Sequence, residues 1–252
     1  MKRPEKFFKY RPLAGTSALH VGQSVFDHKF FFDSPNNFND PFECLPRFIF
    51  EGTPAERVTY ITDWLVRNQG MPHGEAQIKA LQMELSGGRP DLDFFFDTYR
   101  DESVAKLPMY CVSEVSDNIL MWSHYANNHT GVCFEFDGQA SVFEHAHRVV
   151  YDEQRVTVDM AVKLDATKVA MAAITKSRDW HYEKEWRVVE AGSKSGVRTW
   201  PETVLTAIIL GDRISESDRS RVKGWALRRS PSIALRQATI SRSKFKVDIT
   251  DL

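Results

Sequence analysis

The sequence predicts an α+β fold, a single mixed-sheet domain spanning residues 1–252 with a helical insertion at about 52–106. Three observations lead there. Short apolar or alternating runs, FFKY at 7–10 and VCFEF at 132–136 among them, have the period of strands. Between Gly52 and Lys106 the apolar spacing becomes helical. After Val204 several strand-like runs follow one another with a single helix among them, which is not the alternation of a parallel α/β sheet.

Taken in order, Phe7 to Tyr10 is a first strand and Lys29 to Asp33 a second. The stretch SPNNFNDPFE, residues 34–43, holds two prolines, three asparagines and an aspartate, which exclude a regular element and predict a shaped loop. Pro41 biases Asp40 away from helical backbone. Thr53-Pro54-Ala55-Glu56 is a helix start: threonine caps, proline takes the first helical position, and Glu56 completes a capping box. That helix carries Val58, Ile61, Trp64 and Leu65 on one side and stops at Gly70. Helices over Glu75 to Leu85 and Asp91 to Lys106 complete the insertion.

Pro108 to Ser113 is a strand, and Asp117 caps a short helix over Asn118 to Ala126. Strands follow at Val132 to Phe136 and Arg148 to Tyr151, then a helix at Asp165 to Ser177. Glu185 to Val189 is a strand whose period of two puts Glu185 and Arg187 on one face and Trp186 and Val188 on the other. A buried strand runs from Val204 to Leu210. Ser215 and Asp218 then start a helix reaching about Arg229, and Ile233 to Ile240 and Phe245 to Ile249 are the last strands.

The charge is uneven. Net charge is −1, yet residues 213–246 hold ten Lys/Arg against two acids. Such asymmetry marks either a solvated helix face or a surface for phosphate and nucleic acid. Three widely spaced cysteines fit a reducing compartment better than a disulfide framework. No apolar run reaches the roughly 20 residues of a membrane helix. The basic N-terminus lacks the apolar segment of a signal peptide, so a cytoplasmic location is expected.

Three constellations are candidates for function. Asn39, Asp40 and Glu43 sit in the shaped loop, which either braces itself through Asx turns or lines a site. Trp122, His124 and Tyr125 crowd a helix-to-strand junction, where a flat ligand would stack on a ring and take hydrogen bonds from an imidazole; the alternative is core packing. In WHYEKEWR, residues 180–187, Glu183 and Glu185 lie beside Arg187, with Lys176 upstream, as an ion-pair network or as a carboxylate held in a cleft. No metal-ligand spacing, Walker loop, dinucleotide glycine motif or nucleophile elbow occurs, so no metal is expected. Cys111 or Cys133 with His124 is a weaker thiol pair, since both cysteines fall in apolar strands.

The succession KYR, FDSPNNFNDPFE, LMWSHYANNHTGVCFEFD, VVYDE, WHYEKEWRVV and IILG, from Lys9 to Gly211, resembles a bacterial group catalogued as domain-of-unknown-function family 2971. Members of that group are linked to phage defence and abortive infection, so the resemblance implies a role in defence. A second likeness is to the ADP-ribosyltransferases: an aromatic-basic first strand, a second strand ending in serine, and a late strand with glutamate. It implies NAD as substrate, held by Arg11 or Tyr10, with Ser34 supporting the site and Glu185 or Glu183 stabilising the ribose as nicotinamide leaves. An acceptor, nucleic acid or protein, would meet the basic segment 213–246. A non-catalytic sensing module and a nuclease are the competing readings.

Overall fold

The computed structural model describes residues 2–86, 104–159 and 166–252. Its strands in chain order are β1 (Lys6–Arg11), β2 (Lys29–Phe32), β3 (Arg47–Ile49), β4 (Met109–Ser113), β5 (Val132–Asp137), β6 (His147–Arg148), β7 (Val150–Asp152), β8 (Thr157–Asp159), β9 (Thr175–Ser177), β10 (Glu185–Val189), β11 (Gly196–Thr199), β12 (Leu205–Leu210), β13 (Ala234–Ile240) and β14 (Val247–Asp251). The helices are α1 (Thr16–Phe26), α2 (Pro54–Gln69), α3 (His73–Leu85), α4 (Ile119–Tyr125), α5 (Ala166–Ala173) and α6 (Glu216–Arg228). The fold is α+β with a large mixed sheet, as expected. No helix among the described residues is long and apolar enough to cross a membrane.

Two units can be distinguished. The first comprises Met1–Ser34, Leu107–Val149 and Arg178–Leu252. It holds an eight-stranded sheet in the order β14-β13-β12-β5-β1-β4-β10-β6, antiparallel except where β12 meets β13. Strand β1 lies inside this sheet, paired with β5 over six positions from Lys6↔Asp137 to Arg11↔Val132. Its alternating side chains feed two cores. Phe7 joins Tyr110, Val112, Phe134, Phe136 and Trp186 in the larger core, with Phe30, Phe32 and Trp200 packed in, Phe30 stacked on Trp200 and edge-on to Phe136. Phe8 and Tyr10 turn the other way and meet Met121 and Trp122 of α4 together with Cys133, Ile209 and Ala238. Aromatic side chains bury the most apolar area per ordered torsion, which is why so many short strands suffice here.

The second unit comprises Pro35–Lys106 and Val150–Ser177. The α2 start is the predicted one: Thr53 Oγ1 accepts from Glu56 N, and Glu56 Oε2 accepts from Thr53 N at 2.7 Å. Gly70 ends the helix at φ +63°, a left-handed conformation that costs glycine nothing. Helices α2 and α3 are joined by an Arg57–Glu84 ion pair. Two short parallel pairs, β3–β8 and β7–β9, complete the unit, which therefore draws on more of the chain than the expected insertion.

Several sequence expectations need correction. Helix α1 lies where the sequence predicts no element; its start has no side-chain cap and it buries only Val21, Ser24 and Val25, so it carries little helical signal. The strand expected at Arg148 to Tyr151 is two strands: Arg148 pairs with Trp186, while Val150 pairs with Thr175. The helix expected to reach Ser177 stops at Ala173, because Thr175 to Ser177 leaves it to pair with β7. The loop over residues 34–43 contains one 3-10 turn, Pro35–Asn37. The last strand starts at Val247, leaving Phe245 in the preceding turn. The helix expected over Asp91 to Lys106 lies outside the described residues except for a 3-10 turn at Val104–Lys106.

Candidate functional site

Helix α4 is capped by Asn118, not Asp117. Its Oδ1 accepts from the amides of Leu120 and Met121 at 2.9 and 3.1 Å, satisfying two of the donors that a helix start leaves bare. The helix buries Met121 and Trp122 and leaves Ile119, Leu120 and His124 exposed. Trp122 is 0% exposed; its Nε1 donates to Ser116 O, and its ring meets Tyr10 edge-on and lies parallel to His129. It is therefore a core residue, and the expectation that it stacks on a ligand is corrected.

His124 and Tyr125, at the end of the helix, face the 3-10 turn Arg178–Glu183. His124 Nδ1 and the Tyr182 hydroxyl share a hydrogen bond of 3.0 Å. The Tyr125 hydroxyl donates to Glu183 Oε1 at 2.5 Å, the length of a charge-assisted bond to a carboxylate. The rings of His124, Trp180 and Tyr182 lie 6.1 to 6.5 Å apart, inclined at 41° to 71° to one another, and form an aromatic wall beside Tyr125. Glu183 is itself buried, and its carbonyl accepts from Ser113 Oγ at 2.6 Å. Lys184 then adopts φ +43°, an unusual conformation for a side-chain-bearing residue, and the chain enters β10.

On β10, Trp186 points into the larger core, so Glu185 and Arg187 take the opposite face, that of Tyr10 and α4. Arg187 is fully buried and grips Glu185, Nε to Oε1 at 2.9 Å and Nη2 to Oε2 at 3.1 Å. Cys111 stands in register with Arg187 and Ser113 with Glu185. Burial, and after it the Glu185 charge, push the Cys111 thiol well above its usual range, and burial does the same to Cys133. Neither is a thiolate at neutral pH, which removes the thiol pair as a nucleophile.

Tyr10 is 3% exposed and gives its hydroxyl to Val115 O, so it is bonded within the core and does not hold a ligand. Arg11 alternates with Tyr10 and leaves the sheet on the face opposite to Glu185; the two cannot flank one ligand from a shared face. Ser34 is buried just beyond β2, and β2 pairs with β11 outside the large sheet. Asn39, Asp40, Glu43 and Lys176 belong to the second unit. There Asp40 closes an Asx turn onto the amide of Phe42 at 2.9 Å, as its loop position suggested. Glu43 and Lys176, both buried, face each other at 3.7 Å. Lys176 also lines a groove of about 210 Å³ with Phe42, Arg155, Thr175 and Ser177.

Tyr182 and Trp180 are the contributors that residue-by-residue selection passed over. Their signal was present in the run WHYEKEWR, but only the turn that follows β9 brings their rings to His124. Among the described residues no three His, Cys, Asp or Glu side chains converge as a metal site.

Residues 121–188 match the model of a family described as a protein of unknown function, DUF2971, so the resemblance read from the motifs holds over that stretch. The stretch contains α4 from Met121 onward, the ring-bearing turn and β10 as far as Val188. No curated protein and no solved structure matches the chain.

Proposed function

We propose that the protein consumes NAD, as an ADP-ribosyltransferase-like enzyme or an NAD glycohydrolase, at the wall formed by His124, Tyr125, Tyr182 and Glu183. The observation that carries this reading is the Tyr125–Glu183 hydrogen bond, which ties a buried carboxylate to the helix that carries His124. The nicotinamide of NAD is flat and cationic, and aromatic faces attract such a ring. When the bond from ribose C1′ to the nicotinamide nitrogen breaks, its electron pair goes to that nitrogen. Positive charge then develops on C1′ and the ring oxygen, where a fixed carboxylate stabilises it. The oxygen of an acceptor bonds to C1′ and gives up its proton; water makes the reaction a hydrolysis, and a macromolecular nucleophile makes it a transfer.

Of the two carboxylates, Glu183 suits this role better. The Tyr125 hydroxyl fixes the Glu183 carboxyl at the aromatic wall, and Arg187 holds both oxygens of Glu185. Glu185 and Arg187 then position the strand that carries the site. The defence role rests on the family resemblance alone.

The test is incubation with NAD labelled in the nicotinamide ring, alone and with cell extract. Nicotinamide release by the native protein, lost about 100-fold or more in Glu183→Gln, is the expected result; no release and no transferred label under either condition overturns it. The second reading, a module that binds a nucleotide or a phage component without chemistry, is favoured by the bidentate grip of Arg187 on Glu185, which gives that carboxylate a structural role. It predicts NAD binding, or none, with no release.

A further inference from the structure

The ten Lys and Arg residues between 213 and 246 do not make one basic face. Arg219 pairs with Glu216, Arg221 with Asp218, and Arg236 with both Glu135 and Asp251. Arg228 lies over the Phe26 ring. Arg229 is buried, donating to the carbonyls of Val25, Pro231 and Glu202. Of the rest, Arg213 and Lys223 stand apart, and Arg242, Lys244 and Lys246 share the tip of the β13–β14 hairpin, Ser241 to Lys246. Among the described residues Arg242 and Lys244 have no ion-pair partner, and Lys246 is paired with Asp248.

Between Lys244 and Lys246 stands Phe245, at 103% of its reference exposure. The tip is fastened beneath it: Ser241 N donates to Lys246 O at 3.0 Å, and Lys246 N to Lys244 O at 2.9 Å. The ring is thus held out into water by a closed turn, with cations on both sides. Beside the hairpin runs an open groove of about 510 Å³, lined by Phe8, Ser116, Asp117, Lys246 and Asp248 among others. Its carboxylates repel phosphate, which confines an anionic backbone to the tip, while they accept hydrogen bonds from base amino groups.

We propose that this tip binds single-stranded nucleic acid, with Phe245 stacking on one base and Arg242 and Lys244 holding the flanking phosphates. One exposed ring beside two cations suits a base and its neighbouring phosphates along a strand. An unstacked base is required, because a base inside a duplex has no free face. A lipid surface is the less suitable occupant, since membrane association scales with buried apolar area and the tip offers a single ring. The inference is independent of NAD chemistry.

The test measures the polarisation of a labelled short oligothymidylate, with the same-length RNA, a duplex, and phosphatidylcholine vesicles with and without phosphatidylserine as the other probes. Single-stranded probes are expected to bind at low salt more tightly than the duplex. Phe245→Ala should weaken them about 10-fold, in line with the loss of one stacked base. The double variant Arg242→Glu/Lys244→Glu should abolish binding. The milder Arg242→Gln/Lys244→Gln should lower the slope of log affinity against log salt by about 1.4, the value for two phosphates on a single strand. Lys223→Glu, on α6, should change nothing. All four positions lie at the surface, so unchanged near-ultraviolet circular dichroism checks folding. No oligonucleotide binding, binding indifferent to the tip variants, or binding to anionic vesicles alone would overturn the proposal.

Discussion

Arg187 stands two positions beyond Glu185 on β10 and holds both oxygens of its carboxylate from a fully buried position. Two charges taken out of water repay their desolvation only through such geometry, and removing one partner strands the other. Arg187→Met should therefore cost about 3–5 kcal/mol, whereas the double variant Arg187→Met/Glu185→Leu should recover most of that loss. Urea unfolding of the two variants checks this; equal destabilisation would mean that the pair is not the main partner of either charge.

Lys9 is placed to give a pH signature of opposite character to a stabilising ion pair. Burial, and then the neighbouring Arg11, push its amine down to about 8, with the side chain laid over the Tyr110 ring. The unfolded chain keeps this proton up to about 10.5, so between pH 8 and 10.5 the unfolded state binds more protons and stability rises with pH; below pH 8 the cost of the buried charge is constant. Lys9→Met should raise the unfolding midpoint at pH 7 and flatten that rise. A lower midpoint at pH 7 would refute the assignment.

His129 should make the protein acid-sensitive. It is 5% exposed, its Nδ1 has no hydrogen-bond partner among the described residues, and Ser123 shares its Nε2 at 3.3 Å. Burial first, and Arg213 second, lower its proton affinity, against a smaller opposing effect of Asp212. The fold thus holds the neutral ring while the unfolded chain takes up a proton below about pH 6.5. Stability from this group is complete above that pH and declines below it, until the folded form is also protonated. His129→Gln should flatten the decline between pH 6.5 and 5 in a series of denaturation midpoints.

Gly211 is required by a close approach of backbone. A Cβ there would lie 2.2 Å from His129 O and 2.8 Å from Gly131 O, the two carbonyls that bind the amides of Arg213 and Gly211. Carbonyls in a turn cannot rotate away as a side chain would, so Gly211→Ala should cost about 3 kcal/mol, the upper part of the overpacking range. The expected readout is a lower midpoint with unchanged denaturant slope. A change within 0.5 kcal/mol, about the scale of ordinary surface substitutions, would show that the turn can yield.

What could be read directly was local. The capping box at Thr53 and Glu56, the stop at Gly70, the Asx turn at Asp40 and the shared face of Glu185 and Arg187 each depend on residues within four positions of one another. The splitting of the 148–151 strand and the short end of α5 were not legible, because each depends on which distant strand offers hydrogen bonds. Trp122 shows the same limit within the candidate site. Composition marks it as a ring suited to stacking, and only its contacts with Tyr10 and His129 show that it is already used.

By itself the sequence determined the α+β class, most element positions and the stretch where rings and carboxylates crowd together. Those follow from periodicity, capping and turn chemistry, which act over a few residues. Only the tertiary structure decided that Arg11 and Glu185 leave the sheet on opposite faces, that Tyr125 rather than Trp122 meets a carboxylate, and that Arg219, Arg221 and Arg236 of the basic segment are paired with acids while Arg242 and Lys244 are not. In a strand each single step reverses the side chain, so partner and face are set by register between segments far apart in the chain.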